Sequence, residues 1–299
     1  RLQLPEGSQA QVCSLAVAST EPRLAVSRAP QPQAGPAVRV PAWAGPDGFY
    51  PADPDEVQRR LDEMLPATPQ PEPWAGAMVP HAGWKYSGRL AAAVLSRIRF
   101  PSRVIIFCPR HRGPGPDWAV APHQTWAVPG GKEDADPDLA RRMAAAVAGL
   151  ELDAGAHQVE HAIEVQLPIL ARLAPDARVV GVAMHGGDYP SLQRFAEQLA
   201  AVLRDLPERP LLLISTDMSH RLNDAQARRV DRLALEHIER LDPAGLYRTV
   251  SEKGISMCGM VPAVVVMETL RQLGALNRCE PVGYATSGDV TGDKRDEDP

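Results

Sequence analysis

Three histidines stand just past runs that read as strands. His81 follows Ala77-Met78-Val79-Pro80, His111 follows Val104-Ile105-Ile106-Phe107, and His220 follows Leu211-Leu212-Leu213-Ile214-Ser215. Ligands of open α/β sheets bind outside the carboxyl ends of the strands. Three of the chain's eight histidines at such positions therefore point to one pocket. Imidazole is the commonest side-chain metal ligand and the usual acid–base group near neutral pH, so the pocket reads as metal-binding. Gly83, Pro109 and Gly113 suit tight exit loops. The third ligand has two candidates. Cys258 precedes an apolar helix, whose dipole is expected to lower its thiol pKa. Asp217 would instead complete a facial triad of two histidines and a carboxylate, as in non-heme iron oxygenases.

His157-Gln158-Val159-Glu160-His161 matches the HxxEH pattern of inverted zinc peptidases. That chemistry needs both histidines on one helix face. Gly155 lies just upstream and helical periodicity starts near Val159, so His157 is expected off that face. Glu160-His161 is read instead as the start of a helix pointing into the pocket, with Glu164 on the same face. Asp289 and Asp293 flank Gly288 and Gly292 and read as an ordinary turn rather than a cation loop.

The positioning elements alternate. Asp53-Pro54-Asp55-Glu56 caps a helix carrying Val57, Leu61, Met64 and Leu65. Ser87 is expected to cap a helix to about Arg97. A long loop is predicted over 109–136, followed by helices over 137–149 and 160–173. A strand at Val179–Ala183, a helix from Ser191 to Arg204 and the strand 211–215 come next. Helices over 224–240 and 261–273 bracket a shorter one after Pro243, and Pro281–Tyr284 reads as a last strand. Uncharged strands alternating with amphipathic helices predict a largely parallel sheet covered on both faces, a single-domain α/β/α sandwich. Residues 1–40 read as a proline-rich arm and 41–299 as the organised domain.

Composition narrows the classes. The net charge of −5 comes without a basic run and aromatics make up 5%, which argues against a nucleic-acid partner. No apolar run approaches a membrane span, and Val12–Ala18 is too short and lacks the basic lead-in of a signal peptide. Cys13, Cys108, Cys258 and Cys279 form no CxxC pair and no disulfide framework, so a reducing, cytoplasmic setting is expected.

The segments also match a family in order: Ala44-Gly45 with Gly48-Phe49-Tyr50-Pro51; Val79-Pro80-His81-Ala82-Gly83 with Tyr86-Ser87-Gly88; Pro109 with His111; Glu160 through Pro168; Ser215 through His220; Cys258-Gly259; and Tyr284 through Val290. The chain resembles the Memo-like family, known in prokaryotes as AmmeMemoRadiSam system protein B. That family looks like class III extradiol dioxygenases in fold. The resemblance implies His81, His111 and Cys258 as metal ligands and His220, oriented by Asp217, as the acid–base group. It implies Phe49 and Tyr86 as pocket walls. Glu160 and His161, read from the helix start, and Arg110, whose charge departs from the family pattern, are expected beside a small-molecule substrate. Iron(II) or copper is the cofactor it suggests, ahead of zinc, and its name suggests a functional link to a radical SAM enzyme. Animal members are described as phosphopeptide-binding adaptors.

The chain departs from the family pattern in three places. Cys108-Pro109-Arg110-His111 replaces Gly-Pro-Ser-His, and the charge of Arg110 would attract an anion or weaken metal affinity. Val128-Pro129-Gly130-Gly131 replaces Thr-Pro-Leu-Gly, and the closing strand after the Gly-Asp turn has no counterpart up to Pro299. Three functions compete: a dioxygenase-like metal oxidoreductase, a non-catalytic module binding a peptide or anion, and a zinc hydrolase built on the HxxEH segment.

Overall fold

The computed structural model describes residues 37–68 and 70–295. In chain order the elements are β1 (Val38–Arg39), α1 (Pro54–Met64), β2 (Gly76–Val79), α2 (Trp84–Leu95), β3 (Arg103–Pro109), β4 (Trp118–Val120), β5 (Thr125–Val128), β6 (Gly131–Asp134), α3 (Pro137–Ala146) and β7 (Leu150–Leu152). They continue with α4 (Gly155–Gln158), α5 (His161–Glu164), α6 (Leu167–Leu173), β8 (Arg178–Met184), α7 (Tyr189–Arg204), β9 (Leu211–Ser215), α8 (Asp224–Glu239), α9 (Pro243–Lys253), α10 (Met260–Gln272) and α11 (Ser287–Thr291). Most of the expected arm, residues 1–36, lies outside the described residues. Val38 and Arg39, on the arm side of the boundary drawn at Pro41, form β1.

Six strands make the main sheet in the order β2-β9-β3-β8-β4-β7. The pairs β2/β9, β9/β3, β3/β8 and β4/β7 are parallel, and β4 runs antiparallel to β8. Successive side chains of a strand face opposite sides, and both sides here are apolar. Ile105, Phe107, Val180, Val182, Leu212 and Ile214 face the core beneath α3, α7 and α10. Val104, Ile106, Cys108, Val179, Leu211 and Leu213 face the core shared with α1, α2 and α6. The result is the α/β/α sandwich that the uncharged strand runs predict. A small sheet, β1-β5-β6, lies on the second face. Gly181 on β8 permits this, because a Cβ there would meet Trp126 of β5 at 2.9 Å.

Several boundaries differ from the sequence expectations. The helix expected from Ser87 starts at Trp84, since Ser87 Oγ donates to Ala82 O within the first turn. The loop 109–136 contains β4, β5 and β6; these strands are too short for periodicity to reveal. The helix expected over 160–173 is broken between α5 and α6, with Pro168 in the first turn of α6. Pro281–Tyr284, expected as a last strand, forms none. Asp289, expected in an ordinary turn, lies instead in the first turn of the short helix α11, where Arg228 and Lys294 pair with it.

Glu133 on β6 is buried, and neither carboxylate oxygen has a hydrogen-bond partner. Burial, reinforced by Asp134, pushes its pKa up to about 8 from an ordinary 4.5. The folded state therefore holds a proton that the unfolded chain loses above about 4.5, and stability falls as pH rises toward 8. The unfolding free energy from urea titrations should drop across this window by on the order of 1 kcal/mol per pH unit. Glu133→Gln should remove that part of the drop, and an unchanged slope in the variant would refute the assignment.

Candidate metal centre

The parallel register sets the exits of β2, β9 and β3 side by side, with Val79 opposite Ser215 and Phe107 opposite Ile214. His81 leaves β2, His111 leaves β3, and Asp217 leaves β9 between them. His161, the first residue of α5, reaches the same point. One ligand nitrogen from each of His81, His111 and His161 lies within 4.8 Å of the other two. Their ring centroids are 5.1 Å (His81–His111), 5.3 Å (His81–His161) and 4.6 Å (His111–His161) apart.

Hydrogen bonds fix which nitrogens are free. Ser215 Oγ donates to Ala162 O at 2.7 Å. It must then accept from His81 Nδ1–H at 3.0 Å, which leaves Nε2 bare. Glu160 can only accept, so His111 Nδ1–H donates to its Oε1 at 3.0 Å, and His111 Nε2 is bare as well. Glu160 also accepts from the backbone N–H groups of His111 (2.7 Å) and Ala162 (2.9 Å). Burial alone would raise its pKa, but these bonds outweigh burial and hold it at about 2. Burial and the neighbouring His81 push His161 down to about 3, and burial also lowers His81. Both are neutral near pH 7, the state a metal requires. His161 Nδ1 is buried without a hydrogen-bond partner. Two bare nitrogens and an orphaned third imidazole suit a cation with borderline-soft preferences.

Cys258 Sγ lies 3.3 Å from His81 Nε2 and accepts the Asp217 N–H at 3.2 Å. Gly259 allows this approach, because a Cβ there would meet Thr216 Cβ at 2.3 Å. The lowered thiol pKa expected from the helix start does not occur. Burial, with the Asp217 charge, pushes Cys258 up to about 12 and overrides the dipole. Asp217 Oδ1 accepts the backbone N–H of His81 at 2.7 Å, and its Oδ2 lies 3.8 Å from His81 Nε2. His220 is oriented by Ser256 rather than by Asp217. Its backbone N–H donates to Ser256 Oγ at 2.7 Å, and Nδ1 lies 2.9 Å from Ser256 O. A carbonyl only accepts, so His220 Nδ1 carries the proton and Nε2 is the basic nitrogen.

Phe49 stacks on His161 at 4.2 Å and forms a wall of the site. Tyr86 lines a separate, mostly apolar cavity of about 560 Å³ beside β2, which reaches Ala82 and Asp217. Arg110 donates to Gly113 O. His157 sits on its own helical turn, α4, against Trp126 (6.1 Å) and His123 (6.4 Å), so the HxxEH segment does not present two histidines together. Sequence reasoning missed the roles of Ser215 and Ser256. It also missed Arg39, which donates to His157 O, Glu160 O and Glu164 Oε2 and so holds the segment that carries Glu160 and His161. The pairing of Glu160 with His111 was signalled only by the place of Glu160 at a helix start.

A sheet with imidazoles converging at its strand exits defines an α/β/α protein with a candidate metal centre. The model of the Memo-like protein family matches residues 39–297, and the chain belongs to that family. It is 36% identical over 258 residues to a MEMO1 family protein of Aquifex aeolicus, covering 86% of this chain and 94% of that one. It is 35% identical to a MEMO1 family protein of Methanopyrus kandleri, covering 85% and 94%. Among solved structures, the uncharacterized protein JW3007 of Escherichia coli K12 aligns with a TM-score of 0.41 at 17% identity, over 62% of this chain and 80% of that one. Neither fold nor function transfers at that similarity. No helix among the described residues is long and apolar enough to cross a membrane.

Proposed function

We propose that the protein is a non-heme metal oxidoreductase, dioxygenase-like in chemistry, acting on a small aromatic or enolic molecule in a reducing, cytoplasmic setting. The observation that carries this reading is the pair of bare Nε2 atoms on His81 and His111, each fixed by a buried acceptor behind it. Cys258 is the third ligand on this reading, its sulfur at ligand-to-ligand distance from His81 Nε2, and His161, with a ring nitrogen within 4.8 Å of those of His81 and His111, is a further nitrogen donor. Thiolate with imidazole favours iron(II) or copper, with zinc as the redox-silent alternative. Such an iron or copper ion supplies electron exchange between substrate and dioxygen.

The chain's own groups do the rest. His220 Nε2 takes the proton of a substrate hydroxyl while Ser256 holds the ring in place. Asp217 fixes the backbone of His81, and Phe49 keeps water from the His161 side. A functional partnership with a radical SAM enzyme belongs to the same proposal and draws on family membership alone. Anaerobic reconstitution with iron(II) should give one metal per chain, and oxygen uptake should then follow addition of a catechol. Absence of metal at unit stoichiometry would sink the proposal. Cys258→Ser should lower metal affinity more than His161→Gln; the reverse order would move the third ligand to His161.

A further inference from the structure

Arg112 follows His111, and its guanidinium lies 4.3 Å from the ring centre of Trp43. Trp43 is itself fixed, since its Nε1–H donates to Val159 O at 2.9 Å. It meets Phe49 edge-on at 5.4 Å, and its ring centre is 6.2 Å from that of His161. An exposed arginine on a loop ordinarily samples solvent. Stacking on an indole whose own position is set holds this one against the wall of the metal centre.

The polar groups around it already have partners. Arg39 is neutralised by Glu164, and Glu160 is engaged by His111. Arg110 spends a donor on Gly113 O. Among the described residues, no carboxylate lies within salt-bridge distance of Arg112 and no hydrogen bond uses its donors. A guanidinium held in place, its donors without partners among the described residues, matches the planar, bidentate geometry of a carboxylate.

We infer that the site selects an anionic aromatic or enolic acid, with Arg112 holding the carboxylate while the ring lies against Phe49 and Trp43 and the hydroxyl end faces the histidines. This rests on the reading that the histidines bind a metal beside the substrate. Arg112 acts here as a specificity-determining residue and takes no part in the chemistry.

Titration calorimetry on the full chain tests it in two arms. In the first, zinc-loaded protein, which is redox-silent, is titrated with catechol and with 3,4-dihydroxybenzoate. The carboxylated compound should bind about tenfold tighter, the range of a charge-assisted hydrogen bond. Arg112→Gln should bind the two alike, and Arg112→Lys should recover part of the difference. A preference that is absent from wild-type protein, or that survives in Arg112→Gln, overturns the inference. In the second arm, metal-free protein is titrated with benzoate. Loss of binding in Arg112→Gln supports the inference; unchanged binding, or no binding by wild type, overturns it. Failure to take up zinc would overturn the metal reading alone, because the benzoate arm does not depend on it.

Discussion

Arg39→Met is expected to destabilise the fold by about 3–5 kcal/mol, the cost of stranding one member of a buried ion pair. The side chains of Arg39 and Glu164 are 3% and 1% exposed, and their atoms meet at 2.5 Å. The Glu164 carboxylate also accepts the backbone N–H groups of Ala42 and Trp43 and the hydroxyl of Tyr50. Without Arg39 that charge stays buried beside groups that cannot neutralise it. The carbonyls of His157 and Glu160 lose donors at 3.1 Å in the same step. Arg39→Met with Glu164→Leu should recover part of the loss, since removing both charges relieves the desolvation cost. Urea unfolding of the wild type and the two variants checks this, and a cost below about 1 kcal/mol for Arg39→Met, as for an exposed pair, would show that the pair is not structural.

The position of Arg39 also marks where sequence reading stops. The layers were legible because β3, β8 and β9 are uncharged runs whose alternate residues bury into two cores. The exits of β2 and β3 were legible for the same reason, which is why His81 and His111 could be placed. Arg39 lies in a two-residue strand after a proline-rich stretch, and its partner is 125 positions away. No local pattern encodes such a pairing. The turn between α4 and α5 separates His157 from His161, although their spacing alone suits a single helix. Ser215 and Ser256 read as ordinary strand and loop serines until distant segments of the chain give them an imidazole to hold. The thiol of Cys258 is a similar case: a helix start argues for a lowered pKa, and only the surrounding burial reverses the sign.

Glu160→Gln should weaken metal binding by about 10- to 100-fold, the usual cost of losing a group that orients a ligating histidine. Its Oε1 accepts from His111 Nδ1 and Ala162 N, and its Oε2 accepts from His111 N. A carboxamide has one acceptor and one donor end, so it cannot satisfy donors on both sides. With its NH2 toward His111 N it opposes a backbone N–H and displaces the exit of β3. With its NH2 toward His111 Nδ1 it favours the other tautomer and places the proton on Nε2, the nitrogen a metal needs. Either outcome lowers affinity while leaving His81, His111 and His161 in the chain. Chelator competition with zinc measures the change, and an affinity within twofold of wild type would refute the orienting role. The pH dependence adds a second check. The Glu160 pKa is depressed to about 2 from an ordinary 4.5, so its contribution to stability is complete above about 4.5 and is lost as pH falls through about 2. Wild-type protein should therefore lose stability with acid over that window, and Glu160→Gln should lack that component because it has no carboxyl to titrate.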